Sequence, residues 1–218
     1  MNKLFQINDS HKIKYIFLKT EDDIYNTALE ILHLIQTKYE LNVIKLILKN
    51  QYNYLREKEQ MFVIGECKKI IYDAEVYHYI VIQLCKFIRE ENILNIDGFI
   101  KFRLGEYIKH LENVIETVVT DYINDCEYNK IIKGLIMYLD FQQPLIDSIE
   151  IFSFNEGYTI KDCNGRKILN LYFYDDVLLD VMLTLAPNKI IIKNYNLFKN
   201  KELLNTLCKI FDKRVVLC

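Results

Sequence analysis

Residues 94–144 read LNIDGFIKFRLGEYIKHLENVIETVVTDYINDCEYNKIIKGLIMYLDFQQP, and this stretch decides the fold class. Leu104, Ile108, Leu111, Ile115, Val118 and Tyr122 recur at steps of four and three, which lines them along one stripe of a helix. Tyr107 and Val114 widen the stripe, while Glu106, Lys109, Glu112, Glu116 and Asp121 form the outer face. The pattern predicts a long helix capped by Asn95 or Asp97, roughly 40 Å in length at ~1.5 Å per residue. A break is expected near Asp125 and Cys126. A second helix follows, with Tyr128, Ile131, Ile132, Leu135, Ile136 and Leu139 inward, and Pro144 stops it.

Working towards the N-terminus, Val76 to Glu91 is apolar around most of its circumference and predicts a buried helix. Arg56 to Tyr72 predicts another, with Ile64, Cys67, Ile71 and Ala74 on one face. Leu41 to Leu48 suits a strand or a short helix equally. Thr20 followed by Glu21, Asp22 and Asp23 marks a helix start: the hydroxyl caps a free N–H and the acids complement the dipole. That helix carries Ile24, Ala28, Ile31, Leu32 and Ile35 inward and fades near Tyr39. Lys3 to Lys19 predicts one or two strands, Lys12 to Leu18 the stronger.

Beyond Pro144 helical spacing gives way to alternation. Ser148–Phe154, Tyr158–Asp162 and Arg166–Tyr172 predict three antiparallel strands, turning at Asn155-Glu156-Gly157 and at Asn164-Gly165. Asn-Gly favours a type I′ hairpin because both residues tolerate positive φ. A helix over Val177–Ala186, opened by Asp175-Asp176 and ended by Pro187, precedes a strand at Lys189–Lys193, a helix at Lys201–Phe211 and a strand at Arg214–Leu217. Strand, helix, strand implies a parallel pair. The expected class is therefore α+β: a mainly helical region over 1–143 with an N-terminal strand, then an α/β region over 144–218 holding a small mixed sheet and two helices. The two are expected to pack as one body with a soft boundary near 143–147.

Composition narrows the function classes. The 218 residues are 51% hydrophobic, enough for a sizeable core, and carry only 2 Pro and 6 Gly, which favours long elements. A net charge of −2 gives no general attraction to nucleic acid or acidic membrane. Charge is unevenly spread: six acids face Lys109 alone between Glu106 and Glu127, and seven bases face two acids between Pro187 and Cys218. Two solvated faces account for this distribution; the sharper alternative is that the two stretches meet, within one molecule or between two. The six cysteines show no C-x-x-C pair, so neither zinc nor a disulfide is expected. The longest apolar run, Val76 to Ile88, is interrupted by His78, Gln83 and Lys86 and falls short of a bilayer span. The N-terminus lacks the apolar core of a signal peptide, so the expected setting is the cytoplasm.

No constellation carries chemistry. Asp22-Asp23 and Asp175-Asp176 sit at helix starts, where the dipole alone favours acids. His110 lies one turn from Glu106, an ordinary helix contact, and His11, His33 and His78 have no partner at ligand spacing. There is no G-x-S-x-G, no P-loop and no G-x-G-x-x-G. Cys163 and Cys218 are the most exposed thiols expected. No catalytic residue, cofactor or metal is therefore expected, and a small-molecule ligand is not specified.

Gly98-Phe99-Ile100-Lys101-Phe102-Arg103-Leu104 is different in kind. Phe99 and Phe102 share a face, and Arg103 near a helix start would oppose the dipole, which predicts an acidic partner for its guanidinium. NIDGFIKFRLGEY, CEYNKII, and the closing LAPNKIIIKN and IFDKRVVLC resemble the YtxC family of sporulation-associated proteins. Gly98, Phe99, Phe102, Arg103, Leu104 and Tyr107 match its central GF-x-x-FRL-x-x-Y motif. The resemblance implies a cytoplasmic protein of an endospore-forming bacterium and carries over no catalytic residue. The function expected on this basis is a non-catalytic interaction or regulatory protein, contacting a protein partner or a second copy through Phe99, Phe102, Arg103 and Tyr107. The alternative is a small-molecule binder or enzyme with a pocket between the helical body and the C-terminal sheet.

Overall fold

A computed structural model describes residues 2–9, 12–154, 157–172 and 175–218, with side chains outside 170–176. His11 and the Asn155-Glu156 part of the expected turn lie outside the described residues, as do the side chains of Asp175 and Asp176. The chain is α+β and divides into two compact units, residues 1–123 and 124–218.

The first unit opens with strands β1 (Lys3–Asp9) and β2 (Lys12–Leu18), paired antiparallel. Thr20 then caps α1 (Glu21–Leu34): its Oγ1 accepts from the Asp23 N–H at 3.1 Å, and Asp23 Oδ2 accepts from the Thr20 N–H at 2.8 Å. The helix does not fade at Tyr39. It passes through a π-helical turn, Ile35–Tyr39, into α2 (Glu40–Gln51), so Leu41 to Leu48 is helical. Helices α3 (Glu57–Ile70) and α4 (Ala74–Glu90) follow, and Asp73 caps the latter by accepting from Glu75 and Val76.

A three-residue strand, β3 (Ile93–Asn95), pairs parallel with β1 and completes a sheet ordered β2-β1-β3. Such a short strand leaves no alternation to read in the sequence. Helices α5 (Ile96–Arg103) and α6 (Gly105–Phe141) correct the expected pair: the interruption lies at Leu104, and the helix runs unbroken through Asp125 and Cys126. At ~1.5 Å per residue its 37 residues span about 55 Å. Leu104 leaves helical geometry at φ −109°, ψ 45°, yet Ile108 still donates to its carbonyl at 3.0 Å. A one-residue break preserves the steps of four and three, so the stripe reads straight through it. The gap in apolar positions between Ile123 and Tyr128 is a change of core, not a break.

The first core gathers Phe5, Ile24, Ile35, Leu84, Leu104, Leu111 and Ile115, all fully buried. Burying each such side chain contributes roughly 1.5–3 kcal/mol. The second core takes Ile132 and Leu139 from the end of α6, while Ile131 faces outward at 62% exposure, contrary to its expected inward place.

In the second unit β4 (Ser148–Phe154), β5 (Gly157–Asp162) and β6 (Lys167–Tyr172) form the expected antiparallel meander. The hairpin at Asn164-Gly165 is present with different chemistry. Only Gly165 has positive φ, at 77°, and Asp162 Oδ1 accepts from the N–H groups of Asn164 and Arg166. An aspartate-anchored turn with a left-handed glycine therefore replaces type I′. Then come α7 (Asp175–Leu185), β7 (Lys189–Lys193), α8 (Lys201–Phe211) and β8 (Val215–Leu217). The sheet order is β6-β5-β4-β7-β8, with β7 parallel to both β4 and β8. Tyr128 on α6 meets Thr206 on α8 hydroxyl to hydroxyl at 2.8 Å, beneath the Lys209 ammonium 4.8 Å from its ring.

Candidate interaction site

The site is built around α5 and the first turns of α6. Asn95 Oδ1 caps α5 by accepting from the Gly98 N–H at 2.8 Å. Phe99 is buried, its ring edge-on to Phe87 at 5.2 Å between centroids. Phe102, three residues on, is 75% exposed, with the Lys101 ammonium 5.4 Å from its ring.

Arg103 is the last residue of α5. Its cation therefore sits at the negative end of the dipole, where it is favoured, and the reason for expecting a buried acidic partner disappears. The residue is exposed and pairs with no carboxylate among the described residues. Its carbonyl, one of those a helix C-terminus leaves open, accepts from the Tyr79 hydroxyl at 3.2 Å.

Tyr107 turns inward and is fully buried. Its hydroxyl donates to Glu40 Oε2 at 2.9 Å, and Tyr77 donates to the same oxygen at 3.2 Å. Glu40 is only 8% exposed. Burial pushes its carboxyl above the usual range, against the two tyrosine hydrogen bonds and the more distant charges of His110 and Lys68. The same burial and the facing carboxylate push the Tyr77 hydroxyl up to about 12 and raise Tyr107 as well. His110 spends its Nε2 on the Ile71 carbonyl at 2.9 Å rather than on Glu106.

The π-helical turn explains how an acid comes to lie in the core. Its extra residue rotates the helix so that Ile35, Tyr39 and Glu40 are all buried. Tyr39 then donates to Asp9 Oδ1, which also accepts from Lys38, and both hold the Asp9 carboxyl below its usual range. Sequence reasoning missed Glu40. A signal existed: Glu40, Ile44, Ile47 and Leu48 continue one stripe, with an acid in the first place.

Beside α5 lies a groove of about 460 Å³ between α2, α5 and α6, floored by Val43, Ile47, Ile100 and Ile108. Gln51 donates to Glu112 Oε1 at 3.0 Å across its rim, and Lys101 stands at its edge.

In the second unit, the LAP-x-KI and RV-x-x-C segments come together. Ile190 pairs with Val215, the Cys218 N–H donates to the Ile192 carbonyl at 2.9 Å, and Arg214 reaches the Pro187 carbonyl at 3.5 Å. Ala186 takes a left-handed φ of 44° ahead of Pro187. These two segments are accounted for by strand pairing and a helix end. The six cysteines are free thiols; Cys67 and Cys85 are buried, and burial pushes the Cys67 thiol up to about 11. Among the described residues no group of three or more His, Cys, Asp or Glu is placed to hold a metal ion. No helix among them is long and apolar enough to cross a membrane.

A helical unit with a short three-stranded sheet, followed by a five-stranded mixed sheet unit, carries one tightly packed motif whose side chains divide between core and surface. The YtxC-like family model matches residues 25–216, and the chain belongs to that family. It is 27% identical over 138 residues to a protein named uncharacterized protein YtxC from Bacillus subtilis (strain 168). That match takes in 58% of this chain and 48% of the relative, so the chain spans about half the length of the curated relative it matches. No solved structure matches the chain.

Proposed function

We propose that the protein is a non-catalytic interaction or regulatory protein of sporulation, acting in the cytoplasm, and that it contacts its partner through the outer side of α5. The observation that carries this reading is the division of the motif. Phe99, Leu104 and Tyr107 are consumed by the core, while Phe102 and Arg103 are exposed and serve no packing purpose. An exposed aromatic ring flanked by two cations is the composition of an interface centre, where aromatic residues and Arg are enriched. Phe99 and Tyr107 then act as the supports that fix the angle of α5, and Phe102 and Arg103 make the contact.

A photoreactive residue placed at Phe102 in sporulating cells tests this reading. It should yield a discrete cross-linked product that is absent when the same residue replaces Met61, another exposed apolar position. Equal or absent products at both positions would refute it.

A second reading, small-molecule binding, draws support from the groove beside Lys101, whose volume and apolar floor suit a small ligand. A ligand-induced shift confined to Ile47, Ile100 and Ile108 methyl resonances would favour it.

A further inference from the structure

The three-stranded sheet of the first unit has one face in the core and one face open. Phe5, Ile7, Leu18 and Leu94 are buried on the inner face. On the outer face the register sets Leu4 opposite Phe17, Gln6 between Tyr15 and Ile93, and Asn8 between Ile13 and Asn95. Leu4, Ile13, Tyr15, Phe17 and Ile93 are each more than half exposed.

Among the described residues, the register of β1, β2 and β3 places no charged residue on this face. Its polar side chains are engaged with their own neighbours: Gln6 Nε2 donates to Asn8 Oδ1 at 2.7 Å, and Asn95 caps α5. A face of large exposed apolar side chains, broken only by amides that bond to their own neighbours and carrying no charge in its strands, has the composition of an interface core rather than of solvated surface. The two edges are different: Lys12 and Lys14 stand along β2, where edge lysines block strand addition, and β3 is only three residues long. Association through this sheet is therefore directed to its face.

We infer that the outer face of the β2-β1-β3 sheet is the contact surface between two copies of this chain, packed sheet against sheet about a two-fold axis. A two-fold contact requires a patch complementary to itself, and an uncharged face meets its own copy without like-charge repulsion. A partner with a charged contact surface would find no counter-charge here. Five half-exposed large side chains offer on the order of 500 Å² per copy, so the pair buries about 1,000 Å², the size at which a specific interface becomes sustainable. The Lys19 ammonium, 5.8 Å from the Phe17 ring, would stand at the solvated rim. The β1 and β2 part of this surface lies ahead of residue 25, outside the family match, while Ile93 lies within it; the face is distinct from the exposed side chains of α5, Phe102 and Arg103.

The chain has no Trp, so Tyr15→Trp provides a single emission reporter at the centre of the face. Sedimentation from sub-micromolar to high-micromolar concentration should show a species of twice 26.1 kDa forming, with the Tyr15→Trp emission moving to shorter wavelength in step. Phe17→Lys should weaken the dimer at least ~10-fold without altering the far-ultraviolet spectrum, as loss of an interface anchor does. Phe102→Ala should leave the dimer unchanged, which separates this inference from the α5 reading. A wild-type chain that remains at 26.1 kDa throughout overturns it, as does a dimer that Phe17→Lys leaves intact. Should Phe17→Lys fail to fold, the reporter alone decides: solvent-exposed emission at every concentration refutes the dimer.

Discussion

Over the short stretch from Phe99 to Tyr107 two populations of side chains alternate, and they obey different physics. Phe99, Leu104 and Tyr107 are locked by packing and, for Tyr107, by a buried hydrogen bond to Glu40. Phe102 and Arg103, on the same backbone, are exposed, with the Lys101 ammonium 5.4 Å from the Phe102 ring. One motif thus combines residues that set the shape of the first unit with residues available to something outside it. A sequence motif read as a single interaction site divides into buried supports and exposed side chains, and the two groups can be separated by mutation.

The largest effects should come from the support. Phe99→Ala or Leu104→Ala empties a fully packed position and should cost on the order of 3–5 kcal/mol and 2–5 kcal/mol respectively in denaturant unfolding. Tyr107→Phe keeps the ring and removes one hydroxyl, leaving Glu40 with Tyr77 alone; the expected cost is about 1–3 kcal/mol. A loss below ~0.5 kcal/mol for Tyr107→Phe would show that the buried hydrogen bond is not part of the support.

Glu40 adds a pH signature with a definite sign. Its folded value is raised above the ordinary 4.5, so the folded state holds the proton more tightly than the unfolded chain. Wild-type stability should therefore fall, relative to Glu40→Gln, as pH rises from 4.5 through the folded value, and the difference between the two should become pH-independent below 4.5. Asp9, held below its usual value by Lys38 and then by Tyr39, contributes in the opposite sense: its stabilisation is present above 3.8 and is lost as pH falls through its folded value. Parallel pH profiles for wild type and Glu40→Gln would contradict the raised carboxyl.

Much of this fold was legible in the residues themselves. The capping box at Thr20, the strands at Ser148–Phe154 and Lys189–Lys193, and the helix at Lys201–Phe211 follow from local chemistry and were read at their observed bounds. Features that depend on tertiary context were not legible. The break at Leu104 preserves helical spacing, so periodicity passes over it. The π-helical turn at Ile35–Tyr39 adds one residue to the helix, so its apolar stripe slips out of 3.6-residue register there. Glu40 is buried because Tyr77 and Tyr107, 37 and 67 residues away in the chain, supply its hydrogen bonds. Arg103 was placed in the right segment but at the wrong end of a helix, because the break that makes it a C-terminal residue was invisible. Of the motif residues, the sequence could group Phe99, Phe102, Arg103 and Tyr107 but could not say which faced inward.

Smaller effects belong to the thiols. All six cysteines should titrate in denaturant without reductant. In the native protein Cys67 should react slowest, since burial raises its thiol to about 11, and Cys163 and Cys218 should react first. Rapid native labelling of Cys67 would indicate that the first core opens far more readily than its packing implies.

The smallest expected change in stability carries the most weight. Phe102→Ala with Arg103→Ala in one chain should alter the unfolding free energy by less than ~0.5 kcal/mol, as for exposed substitutions generally. The decisive measurement pairs that melt with affinity capture from sporulating cells, using wild type and the double variant side by side. Unchanged stability together with loss of a wild-type partner is the predicted result. An unchanged set of partners would contradict the account, and so would a double variant destabilised as severely as Phe99→Ala.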